Sequence, residues 1–554
     1  MEVSQKDKYV KRLAALKNER SSYDSHWKEL ADYVLPRSVV FNSADRNKGG
    51  KVNQNILDNT ATLALRTLAS GMMAGLTSPA RPWFRLTTAD PAMMEDASTK
   101  EWLFDVESKM REVFSRSNLY NVLPNCYQDL GLFGTHAFEV VEDSEDVIRC
   151  YPYAIGEFYL ANSYRLSVDT VYREVALTVD QIVGRFGIDQ VSESVKSQYE
   201  RGNYDQYIDV VHVVEPNRDH NANSLLSKHK AYKSVYFEKN CKDGRFLRES
   251  GYDEFPVLCP RWALPGGSTY GESPGMFALP DIKALQLEQK RKLQGIDKMV
   301  NPPMIGDTQL RNQRASLLPG DITYISGMVS GSVGLKPIYE VNPRLSELLG
   351  DMQEVQMRIR RTFFEDMMTM LAIGDNSQMT AREVEERHQE KLLVLGPVME
   401  RLNDELLDPL IDRTFNIMVK RNLIPPPPEH MEGSNLRVEY ISIMGQAQKM
   451  IGTASIERLA GFAGNLAAVR PDVLDKIDFD QTIDEYANML GVPPRIVVSD
   501  DRVAEVRAAK AKAAQAQQMQ EMVPMAGEAA SAAKVLSETD MNSDSALGRM
   551  LGIV

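Results

Sequence analysis

SPGMFALPDIKALQLEQKRKLQGIDKMV at residues 273–300 and PRLSELLGDMQEVQMRIRRTFFEDMMTM at 343–370 are two helix-patterned segments of similar length. Between them lies a Pro/Gly-rich, β-patterned insert, 301–342. After the second comes a break at Gly374-Asp375-Asn376-Ser377. A helix, a small β knob, a returning helix and a flexible loop make a hairpin that projects from a body. Such an element suits a ring-forming channel better than an enzyme built around a pocket.

In the first segment Leu279, Ile282, Gln286, Gln289, Leu293, Ile296 and Val300 recur at alternating three- and four-residue steps. Two glutamines in that seam favour subunit–subunit contacts over a dry core. Ser273-Pro274 reads as N-cap and first helical residue, and Pro280 predicts a kink. In the insert, strands are expected at Ile322–Ser326 and Lys336–Val341. Asn342 then caps a helix whose apolar face runs from Leu345 to Met370. Thr380-Ala381-Arg382-Glu383 is a capping box that opens a further helix, with Pro397 and Pro409 inside it as kink sites. That helix ends in the prolines of 422–428.

Toward the N-terminus, helices are expected at 5–35, after Asp58-Asn59-Thr60, at 99–116 and at 119–132. The texture then changes. Residues 147–151, 170–175, 207–214 and 232–237 are rich in β-branched and aromatic side chains and read as strands, interrupted by a helix near 179–187. The first half is an α+β body within a predominantly helical chain. Downstream, a strand at 436–443 leads to further helices, and the Ala/Gln/Met/Lys-rich stretch 500–535 reads as one exposed helix. Residues 536–554 carry too little apolar material to fold alone.

The chain has 554 residues, 43% hydrophobic and 25% charged, with a formal net charge of −13. That is globular composition with room for about three or four domains. An acidic chain is poorly suited to gripping nucleic acid through phosphate neutralisation, though it is compatible with surrounding DNA that must slide. Cys126, Cys150, Cys241 and Cys259 show no paired spacing and read as reduced core residues of a cytosolic product. No signal peptide is indicated. The most apolar stretch, 63–80, contains Arg66 and is broken by Pro79, short of a membrane span.

No catalytic signature stands out. Gly331-Ser332-Val333-Gly334-Leu335-Lys336-Pro337 has the wrong spacing for a phosphate loop, and its glycines suit a hairpin. Gly266-Gly267-Ser268-Thr269-Tyr270 lacks the second glycine of a nucleophile elbow. His388-Gln389-Glu390 has no second histidine one helical turn away. Glu385 and Glu386 lie beside Arg382 and Arg387, so local pairing accounts for them. Neither a metal nor a cofactor is expected. Lys290, Arg291, Lys292 and Lys298 on the first central helix, and Arg358, Arg360 and Arg361 on the second, have two readings. One is a solvated face with acidic neighbours. The other is a sparse set of cations lining a DNA passage, which ring symmetry would multiply.

Several motifs carry a resemblance to a known family. They are Glu19-Arg20; Trp27-Lys28-Glu29-Leu30-Ala31-Asp32-Tyr33 with Pro36-Arg37; and Ser70-Gly71-Met72-Met73-Ala74-Gly75-Leu76-Thr77-Ser78-Pro79-Ala80-Arg81-Pro82-Trp83-Phe84. Tyr270-Gly271, Pro274-Gly275, Ala278-Leu279-Pro280-Asp281-Ile282, Thr380–Val384 and Leu395–Leu402 with Pro409-Leu410-Ile411 follow. Over about residues 10–500 the chain resembles the head-to-tail connecting (portal) proteins of short-tailed bacteriophages.

The resemblance implies a non-catalytic ring, usually a dodecamer, at one vertex of the capsid. Double-stranded DNA would pass through it non-specifically during packaging and ejection. It implies a wing (1–272 and 380–443), stem helices (273–300 and 343–370), a clip (301–342), a tunnel loop (371–379), a crown (444–499) and a barrel helix (500–535). Gly374, Asp375, Asn376, Ser377 and Gln378 would face the channel. Arg311, Asn312 and Arg314 on the clip would dock the terminase large subunit and then the tail adaptor. Major capsid and scaffolding proteins are further expected partners, with assembly in the host cytoplasm and no membrane. A tail adaptor or another structural ring protein of the virion is the alternative. An enzyme acting on DNA would need a carboxylate cluster or phosphate loop that is not recognisable.

Overall fold

A computed structural model describes residues 5–41, 50, 52–94, 96–221, 224, 226–241, 243–300, 304–306, 335–337, 345–372, 395–431, 436–441, 456–467, 470, 476–490, 497–498 and 502–514. The chain divides into two compact units: one comprises 1–85, 106–426 and 438–451, the other 86–105, 427–437 and 452–554.

In the first unit, α1 (Gln5–Tyr33) and α2 (Thr60–Leu76) follow the expected periodicity. β1 (Phe84–Thr88), whose residues 86–88 belong to the second unit, begins at the aromatic pair after the Thr77–Pro82 turn, where Trp83 and Phe84 pack on Phe114. α3 (Ala97–Arg116), whose residues 97–105 also belong to the second unit, and α4 (Leu119–Phe133) come next. Gly131 lets α4 approach α2 closely, since a Cβ there would stand 2.8 Å from Leu68 and 2.9 Å from Leu65. Two antiparallel sheets follow. One has the order β3-β2-β9, with β2 Phe138–Asp143, β3 Val147–Pro152 and β9 Val257–Leu258. The other is a meander, β4-β5-β6-β7-β8, at Phe158–Asn162, Val168–Thr178, Tyr207–Pro216, Tyr232–Glu238 and Arg248–Tyr252.

Period-two alternation assigns the meander its two faces. Val211, Val213, Val235 and Phe237 point to one side and pack on Tyr9, Leu13 and Leu16 of α1. Val210 and Tyr236 point to the other and pack on Val179, Ile182 and Val195 of α5 (Val179–Phe186) and α6 (Glu193–Glu200). The result is a helix–sheet–helix sandwich. Thr178 and Gln181 form a complete capping box at the start of α5. Within the second face, His212 stacks on Tyr236 at 3.9 Å and its Nε2 contacts the Ser234 hydroxyl at 3.0 Å.

The long elements that follow are α7 (Pro274–Val300), a β10–β11 pair (Met304–Gly306 and Leu335–Pro337, antiparallel), α8 (Leu345–Thr362) and α9 (Glu365–Ala372). α10 (Gly396–Leu402), a π turn (Asn403–Leu407), α11 (Asp408–Lys420) and β12 (Leu436–Tyr440) come after them. Within the second unit, residues 456–467 and 502–514 are helical, as is α12 (Phe479–Leu490). Tyr486 donates to Glu457 at 2.6 Å, and Arg507 grips Asp480 through two bonds of 2.6 and 2.8 Å, tying these three helices.

Two expectations change. The single helix over 343–370 is interrupted at Phe364, whose backbone is left-handed (φ 56°). The break lets adjacent aromatics face different neighbours: Phe363 is fully buried while Phe364 stacks on Trp262. α7 runs unbroken through Pro280, the expected kink site. The strand expected at Lys336–Val341 is seen at Leu335–Pro337, and its partner Met304–Gly306 was not anticipated. The expected strand Ile322–Ser326, the cap at Asn342, the capping box at Thr380–Glu383, His388 and residues 515–554 lie outside the described residues. All four cysteines are free thiols.

Burial holds the His212 imidazole neutral, with its pKa lowered from 6.5 to about 4; Glu139 opposes that shift and Arg173, Arg185 and Arg248 reinforce it. An unfolded chain takes up this proton below pH 6.5 while the folded chain does not until about pH 4. Stability therefore falls as pH drops through that window, by about 3 kcal/mol in total from this group. Urea midpoints of the wild type and His212→Gln across this window measure it: the variant is less stable at neutral pH and has a shallower slope.

Candidate functional site: the α7–α8 hairpin

α7 is socketed at its base. The Ser273 hydroxyl accepts from Met276 N at 3.1 Å, capping the helix as its sequence predicts, and donates to Leu132 O at 2.6 Å. Gly275 sits on the end of α4, where a Cβ would come within 2.8 Å of Leu132. Gly134, left-handed at φ 75°, ends α4 against Gly271, and a Cβ on Gly271 would stand 2.2 Å from Gly134 O. These contacts explain the Tyr270-Gly271 and Pro274-Gly275 motifs in steric terms.

Above the base, Leu279, Ile282, Leu285 and Gln286 are buried. Gln286 is not free for a neighbouring subunit. Its Oε1 accepts from the backbone N–H of Leu57 (2.6 Å) and Asp58 (2.9 Å), and its Nε2 donates to Asp58 O (2.9 Å). Gln356 of α8 donates to the Asp58 carboxylate at 2.9 Å. The two helices thus clasp the turn before α2 between two glutamines. Asp58 Oδ1 in turn accepts from Thr60 N at 2.8 Å, while Asn59, the N-cap residue of α2, makes no side-chain capping bond.

The helices run antiparallel: Arg358 of α8 reaches Asp281 of α7 at 3.1 Å, while Asp351 acts on Glu288 about two turns farther out. Burial and then the Asp351 carboxylate raise the Glu288 pKa. Met352, Val355, Ile359 and Phe363 bury the inner face of α8, and Met368 of α9 packs on Gly71, where a Cβ would be 2.5 Å away.

The outer half of α7 differs. Leu287 and Leu293 are 48% and 49% exposed, Val300 is 71% exposed, and Ile296 and Met299 are also open. On α8, Leu349 and Met357 are exposed. Lys290, Arg291 and Lys298 are exposed and Lys292 is half-buried, without an ion pair among the described residues. Arg358 is committed to Asp281 and Glu354, Arg360 to Glu365 at 3.6 Å, and Arg361 is exposed beside Met357. Gly374, Asp375, Asn376, Ser377, Gln378, Arg311, Asn312 and Arg314 lie outside the described residues.

The α10–α11 segment is anchored by a pair that sequence patterning missed. Pro409 has no N–H to offer Glu405 O, and the helix widens to a π turn, with Asp408 N donating to Asn403 O. The turn presents Glu405 to the buried Arg261, which donates Nη2 to Oε1 at 2.6 Å and Nε to Oε2 at 3.1 Å. Removing one partner of such a buried pair strands the other charge, at about 3–5 kcal/mol. Only the prolines hinted at an irregularity there.

Among the described residues no group of three or more His, Cys, Asp or Glu could hold a metal ion, and no helix is long and apolar enough to cross a membrane.

Comparison with known proteins agrees with the resemblance. The family described as bacteriophage head to tail connecting protein matches residues 6–497. The portal protein of Salmonella phage epsilon15 is 49% identical over 548 residues, covering 99% of this chain and 98% of that relative. The probable portal protein of Bordetella phage BPP-1 is 47% identical over 502 residues, covering 91% and 90%.

Gln286→Leu is expected to leave three backbone groups at Leu57 and Asp58 without partners. Losing about 1–3 kcal/mol locally corresponds to roughly 10–100-fold faster amide exchange in the peptide containing both residues. Hydrogen-exchange mass spectrometry checks this; unchanged protection would mean that Gln286 does not hold the turn.

Proposed function

The chain belongs to the family of bacteriophage head-to-tail connecting proteins, and on that premise we propose that copies of it close into a ring whose channel wall is the α7–α8 hairpin. It is a portal component of the virion at the head–tail connection, and its work is mechanical and electrostatic rather than catalytic. The observation that carries the hairpin reading is the divided burial of α7. Its inner half is locked to the body by Leu279, Ile282 and Gln286, while its outer half leaves Leu293, Ile296 and Val300, on the same face, open. An apolar stripe on a helix otherwise fixed in place is what a second copy would cover.

DNA passage would be guided by Lys290, Arg291, Lys292 and Lys298, with Arg361 on α8. Their number per chain is small, and the chain is acidic overall, so the duplex is steered without being held. Arg358 and Arg360 contribute less, because each already has a carboxylate partner. Residues 301–342, with Arg311, Asn312 and Arg314, are assigned to docking of the terminase large subunit and tail adaptor. Residues 371–379 are assigned to contact with the duplex. Twelve subunits, contacts with major capsid and scaffolding proteins, and assembly in the host cytoplasm complete the proposal.

Mass photometry of the purified chain without nucleotide is expected to show a closed oligomer of about 0.7 MDa if twelve copies of 62.2 kDa associate. Leu293→Asp with Ile296→Asp should shift the population to monomers and small oligomers by at least about tenfold while leaving the circular dichroism unchanged. Intact rings from that variant would remove α7 from the interface.

A second experiment addresses the cations. Gln at Lys290, Arg291 and Lys298 together should spare ring assembly but lower the DNA packaged per particle in an in vitro reaction by about two- to tenfold. Full packaging would place the duplex elsewhere.

A further inference from the structure

Residues 163–167 turn β4 into β5 and carry an exposed plate that contributes nothing to the core. Tyr164 is 88% exposed and Leu166 53%. Arg165 Nε donates to the Tyr164 hydroxyl at 2.9 Å, so the ring and the guanidinium are held together. Leu166 has a left-handed backbone, φ 63°, which a branched side chain adopts only when its surroundings impose it.

The surroundings do impose it. Ser163 N donates to Ser167 O at 2.8 Å, Leu166 N donates to Ser163 O at 3.0 Å, and the two serine hydroxyls are 2.9 Å apart. From behind, Arg261, itself 1% exposed, donates Nη2 to Leu166 O at 3.1 Å and Nη1 to Asn162 Oδ1 at 3.3 Å. The Glu405 clamp fixes that arginine. A rigid tip offering Tyr and Arg has the composition of interface anchors, and its order is set before any partner arrives.

The surface that complements it lies on α1 of the same chain. A groove of about 490 Å³ is lined by Glu29, Asp32, Tyr33 and Asn55, with Ser25 and the basic side chains His26 and Lys28. Glu29 is paired with Lys283, whereas Asp32 has no ion pair among the described residues and is available to a cation. Tyr23 meets Ser268 at 2.9 Å, and Asn162 donates to Ser268 O at 3.3 Å, so the Tyr23 side of α1 faces the hairpin. At about 100° per residue, Ser25, Glu29 and Asp32 lie roughly 180–240° around the helix from Tyr23. The plate therefore points away from its own groove, and two different patches on different sides of one molecule make a head-to-tail contact of the kind that closes rings.

We propose that the 163–167 hairpin of one subunit seats Tyr164 in the α1 groove of the next copy and sets Arg165 against Asp32. This rests on the ring reading above and adds a body-to-body contact remote from α7 in sequence.

The test is disulfide trapping in the full chain carrying Cys241→Ser, with Tyr164→Cys and Asn55→Cys combined. Mild oxidation of assembled material is expected to give a ladder of covalent multimers from the double variant and none from either single variant. Rings without a ladder would overturn this contact and leave the ring reading standing. A wild-type chain that never oligomerises would overturn the ring reading instead. As an independent arm, Arg165→Glu should raise the concentration needed for assembly about tenfold, and adding Asp32→Arg should restore it. Normal assembly by Arg165→Glu with poor incorporation into capsids would assign the plate to another virion protein and refute the proposal.

Discussion

The direction in which α7 leaves the body is decided where it meets the end of α4. Gly134 and Gly271 bring two backbones together more closely than any side chain would allow, Gly275 seats the first turn on Leu132, and Ser273 caps it. Each element is short and sterically specific. Because α7 is 27 residues long, a few degrees of tilt at this socket become several ångströms at its far end. The glutamine clasp on Leu57 and Asp58 braces the same helix about three turns farther out. The channel wall proposed above would require that every copy depart at the same angle, which these two sets of contacts would supply.

Charge is distributed along the hairpin in the same inner-to-outer sense. Near the body, Lys283 meets Glu29 and Arg358 meets Asp281. Farther out, Lys290, Arg291 and Lys298 are exposed. Screening at physiological salt limits each of these charges to a range of about 8 Å, so they act on a phosphate backbone only at close passage. The net charge of −13 disfavours general adhesion of the duplex. Under the ring reading proposed above, the two together would let a passage guide the duplex without binding it.

Much of the fold was legible in the sequence, and the misses have physical causes. α1, α2 and α4 each bury one face, so three- and four-residue spacing exposes them. β5, β6 and β7 are rich in β-branched and aromatic residues. β4 was missed because Phe158–Ala161 is buried throughout and shows no alternation; β8 was missed because Arg248-Glu249-Ser250-Gly251 is polar with a glycine inside. The break at Phe364 was hidden because apolar spacing continues across it from Ile359 to Met367. At the hairpin, the two helices were legible from pattern. The role of Gln286 was not, since a polar residue on an apolar seam looks the same whether it faces a neighbouring subunit or a backbone turn of its own chain. Arg261 and Glu405 lie 144 positions apart, and nothing local links them.

The π turn at Asn403–Leu407 carries one residue more than an α-helix of the same span would hold. Deleting that surplus residue would let regular geometry return, but the preceding helix would then rotate by about 100° about its axis relative to α11. Every side chain on α10 would present itself to a different neighbour, and Arg261 would face an empty place where Glu405 had been. Length in this stretch is consequently a phase setting: the segment tolerates exchange of side chains far better than it tolerates a change in their number.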